Sequence, residues 1–266
     1  MRLRRGRHYY YVNNEIAIIN DYQKKQYEDY EKGTANILLD KYKAILDKTV
    51  QDKNKIKILD IGGASGNFAL VLYNYLHGKN CEIMVIDTTE YDTWDKFQDK
   101  IKFIRESANN LENMFSANTF DIVFANRVFH HFVIDSWKKS VELINNVIRQ
   151  ISIILKDDGY FCITDYFYDG LFFDTSASRM IYTLTSCKIP LFVRIFRRIE
   201  AKSAGIGVCF LSRKMWYKIF VKNNLYTESI NEGHKLKRNI LRIITYKVCL
   251  FIKNVQENVI ILRKCN

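Results

Sequence analysis

The apolar positions of this chain follow two rhythms that alternate along its length. Lys55–Ile61, Cys81–Asp87 and the run opened by Phe120 and Asp121 are short β-branched or aromatic stretches, the composition of strands buried on both faces of a parallel sheet. Ile101–Arg105 reads as a shorter strand of the same kind. Between them, Phe68, Ala69, Val71, Leu72 and Leu76 carry helical spacing, and Ser136–Leu155 is predicted as a long amphipathic helix. A turn at Lys156, Asp157, Asp158 and Gly159 then admits a fifth strand, expected to end at Asp165. Further on, Ser212–Asn223 reads as a helix, Leu225–Ile230 as a strand, Lys237–Phe251 as a helix and Asn258–Arg263 as a closing strand. Strands alternating with helices predict an α/β domain.

Two stretches stand outside this alternation. Glu15 to about Thr49 looks helical, with one polar face. Roughly 45 residues separate the fifth strand from the helix near Ser212, too many for a simple connection, so an inserted helical cap is expected there. Its apolar positions are interleaved with Arg194, Arg197, Arg198 and Lys202. That composition suits a cover over a hydrophobic or anionic molecule, a membrane-surface contact, or a helix packed on its own domain. With no internal repeat and no second-domain boundary, the chain reads as a single domain. Residues 1–54 form a leading helical lid segment, 55–165 the core, 166–211 the cap and 212–266 the rest of the sheet.

The chemistry concentrates at Ile58–Asn67, where an apolar strand carries Asp60 near its end and a turn containing Gly62, Gly63, Ala64 and Gly66 opens a helix. Small residues there allow a ligand to approach the backbone. A dinucleotide site asks for G-x-G-x-x-G with pyrophosphate on the helix N-terminus, whereas this run reads G-G-A-S-G-N. Asp60 would repel a pyrophosphate and suits a cationic amino group. An acid followed by G-x-G-x-G at the end of the first strand is the first motif of the class I S-adenosylmethionine (SAM) methyltransferases. The chain resembles that family, with Ala64 in place of the middle glycine.

The resemblance continues in order along the sequence. It implies a seven-stranded Rossmann-like sheet of order 3-2-1-4-5-7-6, its last strand antiparallel, with helices on both faces. SAM is the implied cofactor. The implied cofactor-binding residues are Asp60, Gly62, Gly63, Ala64 and Gly66 in the first motif, then Asp87 and Thr88 after the second strand for the ribose hydroxyls. Ser107 and Ala108 follow the third strand beside the adenine, where Ser107 replaces the usual acid and its hydroxyl is the weaker partner. Asn126, Arg127 and His131 belong to the fourth motif, FDIVFANRVFHHF, where the methionine end of SAM and the acceptor meet. His130 and His131 are the candidate catalytic bases, having a pKa near neutrality. Packing under the loop is the plain alternative for both. Asp165, Tyr166 and Tyr168 follow the fifth strand and can orient an acceptor. Arg127 can neutralise an acceptor carboxylate or form an ion pair. Asn126 is not followed by Pro-Pro, which disfavours methylation of nucleobase amino groups.

Charge and cysteine usage refine the picture. The net charge is +12, yet Lys57–Asp165 holds 11 basic against 15 acidic residues and Tyr166 onward 18 against 6. An acidic core with basic flanks is compatible with an anionic acceptor, a nucleic acid or an anionic membrane surface, and equally with solvated lysines. The six cysteines show no C-x-x-C pair, which points to reduced thiols, a cytoplasmic protein and no metal site. The basic N-terminus has no apolar stretch behind it, so it does not read as a secretory signal, and no window of about 18 apolar residues suggests a spanning helix. Three function classes follow. The first is a SAM-dependent methyltransferase acting on oxygen, nitrogen or carbon of a small molecule. The second is an RNA or protein methyltransferase using the basic flanks, although no separate recognition module is present. A short-chain oxidoreductase is the third, but its Tyr-x-x-x-Lys spacing occurs only at Tyr75–Lys79, on the first core helix. A non-catalytic SAM-binding subunit is a variant of the first class.

Overall fold

The computed structural model describes residues 21–53, 55–76, 81–189, 207–235 and 252–264. A leading helix α1 (Asp21–Asp52) precedes strand β1 (Ile56–Ile61) and helix α2 (Asn67–Tyr75). Then follow β2 (Cys81–Asp87), the short α3 (Trp94–Phe97), β3 (Lys102–Arg105), the short α4 (Leu111–Met114) and β4 (Phe120–Asn126). Helix α5 (Trp137–Ile154), β5 (Leu155–Gly170), α6 (Ser176–Ser186), α7 (Arg213–Lys222), β6 (Leu225–Lys235) and β7 (Ile252–Lys264) complete the chain. The strands form one seven-stranded sheet in the order β3-β2-β1-β4-β5-β7-β6. β3 through β5 are parallel, and β7 runs antiparallel between β5 and β6, the topology implied by the sequence motifs.

Helices cover both faces. On one, α1 presents Ala35, Leu38, Tyr42, Ile45 and Leu46, a three-and-four spacing that buries one stripe against α2 and against Ile58, Phe124 and Cys162 of the sheet. On the other, Ile144, Val147, Ile148 and Ile151 of α5 pack with Trp216 and Phe220 of α7 on Leu59, Val123 and Phe161. α5 and α7 start at Ser136 and Ser212, whose hydroxyls accept the amides of Lys139 and Met215 and so satisfy helix-start donors. Because a parallel sheet gathers the carboxyl ends of its strands on one edge, the turns after β1, β2, β4 and β5 converge there.

Three strands differ from expectation in length. β5 continues past Asp165 to Gly170, β6 past Ile230 to Lys235, and β7 begins at Ile252 rather than Asn258. The extensions of β5 and β7 alternate apolar with polar positions, Phe167, Ile252 and Val255 being buried, and the two pair with each other: Tyr166 to Tyr168 of β5 lie opposite Glu257 to Val255 of β7. The expected turn at Lys156–Gly159 is present as a loop-out of the β4–β5 ladder, in which Phe120 pairs Leu155 and Ile122 pairs Tyr160. Of the expected cap, α6 packs Ala177, Ile181 and Tyr182 onto its own domain, and Trp137 Nε1 donates to the Ser178 hydroxyl at 2.7 Å. The basic stretch containing Arg194, Arg197, Arg198 and Lys202 lies outside the described residues, as does the expected helix Lys237–Phe251.

Candidate active site

Three carboxylates converge on the turn between β1 and α2. Asp60 is 1% exposed, and its Oδ2 has no hydrogen-bond partner among the described residues. Asp87, which ends β2, accepts the Ala64 amide at 3.0 Å on one oxygen and the Thr89 amide at 2.8 Å on the other. Glu31 reaches across from α1 and accepts the amides of Ser65 and Phe68, each at 3.0 Å, together with the Ser65 hydroxyl. α2 has no side-chain cap of its own, because its N-cap position is Gly66; Glu31 supplies the missing acceptor from another helix.

Crowding acids away from water raises their pKa values. Burial lifts Asp60 well above the usual carboxylate range, and Glu31 and Asp87 add repulsion. Burial likewise lifts Asp87 to about 6 against the pull of the Thr89, Ala64 and Thr88 amides. Glu31 is lifted to about 7 by burial, against its bonds from Phe68 and Ser65. Among the described residues, no lysine or arginine forms an ion pair with any of the three.

The turn itself is shaped for close approach. Gly62 has φ +69°, and a Cβ there would overlap the Val128 side chain, so the loop after β4 sits directly on the turn. A Cβ on Gly63 would overlap the Asp60 carboxylate. Ala64 holds φ +41°, a left-handed conformation that an L side chain adopts at a cost of about 1 kcal/mol. From outside, Trp94 Nε1 donates to the Ala64 carbonyl at 2.8 Å and the Thr93 hydroxyl to the Ser65 carbonyl at 2.7 Å. Beside this turn, an unpartnered buried carboxylate demands a donor or a cation.

A second cluster forms where β4 and β5 end. Asn126 Oδ1 accepts the Tyr42 hydroxyl at 2.9 Å, while its Nδ2 is buried without a partner among the described residues. The Arg127 guanidinium binds Glu257 of β7 and lies over the Tyr30 ring, 4.8 Å from its centre. Lys41 reaches Glu257 as well, at 3.3 Å. His130 Nδ1 stands 2.9 Å from Asp165 Oδ1, with side-chain exposures of 12% and 1%. That oxygen also accepts the Tyr166 amide at 2.7 Å, which fixes the carboxylate. Phe210 stacks on His130 with ring centres 4.7 Å apart, and the Cys209 amide donates to the His130 carbonyl at 2.9 Å, so the segment entering α7 closes over this histidine. His131 lies 4.1 Å from His130 between ring centres and 5.7 Å from Tyr27 of α1. By its accessible surface His131 is an exposed residue.

Most residues singled out in the sequence therefore meet at one edge of the sheet. Asp60, Gly62, Gly63, Ala64, Gly66 and Asp87 build the cradle, and Thr88 follows on its rim. Ser107 caps a short 3-10 turn, its hydroxyl accepting the Asn109 amide at 3.2 Å, and the buried Ala108 begins that turn. Asn126, Arg127, His130 and His131 line the adjoining wall, but the charge of Arg127 is matched by Glu257. Sequence reasoning missed Glu31 altogether. It named His130 and Asp165 singly without pairing them, because nothing local joins residues 35 positions apart.

An acid-lined glycine turn on a sheet of this order defines a Rossmann-like protein built around a cationic nucleoside cofactor. The sequence matches a family described as methyltransferase domain over residues 29–230, and the chain belongs to that family. It is thus a class I methyltransferase with SAM as its cofactor. Among solved structures it is similar to a candidate sarcosine dimethylglycine methyltransferase from Galdieria sulphuraria (13% identity, 96% of this chain and 94% of that one, TM-score 0.56). It is also similar to a SAM-dependent methyltransferase from Methanosarcina mazei (14% identity, 80% and 94%, TM-score 0.53). A geranyl diphosphate methyltransferase in complex with SAM shares the fold at 12% identity (88% and 85%, TM-score 0.52). No curated protein matches the sequence. Among the described residues no group of histidine, cysteine or acidic side chains could hold a metal, and no helix is long and apolar enough to cross a membrane.

Proposed function

We propose that this methyltransferase acts on a small molecule carrying a hydroxyl or amine, with His130 as the base and Asp165 orienting it. The observation that carries the reading is the 2.9 Å contact between His130 Nδ1 and a carboxylate that is itself fixed and 1% exposed. A donor hydrogen bond from Nδ1 to Asp165 sets the tautomer and leaves Nε2 as the nitrogen that takes a proton.

SAM supplies an electrophilic methyl group on a positively charged sulfur. In this reading Asp60 meets its ammonium, and the unpartnered Nδ2 of Asn126, on the neighbouring strand, meets its carboxylate. Asp87 and Thr88 take the ribose hydroxyls, and Ser107 and Ala108 flank the adenine. The acceptor lies beyond the methyl group, between His130, the Phe210 plate and Tyr27 of α1. With SAM bound, a lone pair on the acceptor's oxygen or nitrogen would form the new bond to carbon while the carbon–sulfur bond breaks with its pair left on sulfur; His130 Nε2 would take the acceptor's O–H or N–H proton, and Asp165 would stabilise the resulting imidazolium. Cys209 and Phe210 pack on His130 and Tyr27 of helix α1 on the adjacent His131, which favours a small acceptor over a polymer. Several lysines of the basic flanks are committed to acids of the same chain, including Lys41 to Glu257 and Lys48 to Glu228, and are thereby less available to a nucleic acid. Reduced thiols at Cys81, Cys162, Cys187 and Cys209 fit the cytoplasm.

The test is a screen of hydroxyl and amine acceptors that detects S-adenosylhomocysteine, followed by His130→Ala on the best acceptor. Turnover should fall about 10²- to 10³-fold with SAM affinity unchanged. Equal turnover in the variant would remove His130 as the base, and release with bulk RNA alone would overturn the small-molecule reading.

A further inference from the structure

Glu31 is in the wrong part of the chain to be a cofactor residue by motif, yet it accepts three hydrogen bonds from the glycine turn and the start of α2. It lies on α1, 34 residues before Ser65, and spans the first turn of α2 with Oε2 on Ser65 and Oε1 on Phe68. The C-terminal half of α1 is anchored independently by Leu38, Tyr42 and Leu46, each 3% exposed or less. By contrast, Tyr30, one residue before Glu31, is 47% exposed, and the contacts of the N-terminal half are polar or aromatic: Lys24 with Asp92, Tyr27 with His131, Tyr30 with Arg127 and Glu31 with the glycine turn. Tyr27, one helical turn earlier on the same face, reaches His131. Helix α1 therefore bridges the cradle and the histidine wall, and Glu31 is its hook.

The hook is electrostatically conditional. Glu31 shares its surroundings with Asp87 at the end of β2 and Asp60 in β1, and Tyr91, in the loop after β2, neighbours Asp87 and Glu31. Three acids crowded without a cation oppose one another's ionisation, and a bound sulfonium relieves that opposition. An ionised Glu31 accepts stronger bonds from the Ser65 and Phe68 amides than a protonated one.

We propose that Glu31 is a positioning residue that latches α1 onto the glycine turn in response to the positive charge of SAM, so that the site closes on the charged donor and loosens once the neutral S-adenosylhomocysteine is formed. This rests on the assignment of the cradle as the SAM site. The reaction itself supplies the switch, because methyl transfer converts a sulfonium into a thioether and passes the positive charge to the acceptor and its proton.

The experiment compares wild type with Glu31→Gln, which keeps the size of the side chain but not its charge. Dissociation constants for SAM and for S-adenosylhomocysteine are measured by calorimetry, and amide exchange is followed in residues 24–36 and 62–68. In the variant SAM should weaken by about five- to tenfold, the order expected for one charge interaction, with S-adenosylhomocysteine changed less than about twofold. In wild type SAM should protect both segments more than the product does, and in Glu31→Gln that difference should vanish. Equal weakening of both ligands would make Glu31 an ordinary helix cap, and equal affinities in variant and wild type would remove the latch. If wild type binds neither ligand, the cofactor site is wrong and the latch falls with it; if both bind with identical protection, the site stands and the latch alone is refuted.

Discussion

Two buried aspartates at opposite edges of the same sheet have opposite surroundings. Asp121, where β4 begins, is fully buried and receives Lys53 at 2.6 Å, Lys156 at 2.9 Å and the Lys57 amide at 2.8 Å. Asp60, where β1 ends, is as deeply buried and has an oxygen with no partner among the described residues, with Glu31 and Asp87 as its charged neighbours. Burial alone would raise the pKa of both. For Asp121 the lysines and the amide outweigh it and hold the carboxyl below its ordinary value, whereas for Asp60 the neighbours compound it. A carboxylate satisfied on every side ties the chain together. One left unsatisfied and crowded by like charge costs stability that only a ligand returns. In the proposed reading, the amino edge of this sheet serves folding and the carboxyl edge binding.

The sharpest way to break the comparison is to neutralise each aspartate. Asp121→Asn should leave Lys156 without its carboxylate and Lys53 with Asp158 alone, and lower stability by about 2–4 kcal/mol in urea unfolding, since removing one member of a buried ion cluster is expensive. The affinity of its folded fraction for SAM should stay at wild type. Asp60→Asn should do the reverse: SAM affinity falls 10- to 100-fold, about 1.4–2.7 kcal/mol by calorimetry, while apo stability holds or rises. Matching phenotypes in the two variants would erase the distinction.

Titration should separate the edges next. Asp60, Asp87 and Glu31 have folded pKa values raised above their unfolded ones, the latter two to about 6 and about 7. The folded chain thus keeps these protons longer than the unfolded chain, and the associated stability, complete below about pH 4, is lost as pH climbs to about 7. Asp121 is shifted downward, so its contribution is present above about pH 4 and is lost as acid protonates it. Thermal melts without ligand should show a Tm that declines from about pH 5 to pH 8, and saturating SAM should flatten that decline. A Tm that rises over this range in the apo protein would contradict the assignment of raised values. The smallest effect concerns Ala64: Ala64→Gly should relieve the φ +41° strain and change stability by less than about 1 kcal/mol in the favourable direction, with SAM affinity retained.

The cradle was legible in the sequence because its parts are close together and each is distinctive. An acid, three glycines in five positions and a second acid at the end of the next strand can be read without knowing how the chain folds. Strand order followed from the family these motifs resemble. Strand length did not, since the extensions of β5 and β7 carry few apolar residues and are strand because each finds the other. The partners of Glu31 and of His130 were illegible for the same reason: a hydrogen bond between residues 34 or 35 apart leaves no local spacing signal. Arg127 read as a candidate for an anionic acceptor, and what the sequence could not reveal was Glu257, brought beside it by the antiparallel return of β7.

The central claim is that the unsatisfied carboxylates of the carboxyl edge form the SAM site, and a crystal structure with S-adenosylhomocysteine bound tests it most directly. The account predicts the nucleoside across the Gly62–Gly66 turn, the Asp87 carboxylate within about 3 Å of a ribose hydroxyl and the amino group on Asp60. A nucleoside bound elsewhere, or one bound there with both carboxylates turned away from it, would contradict it.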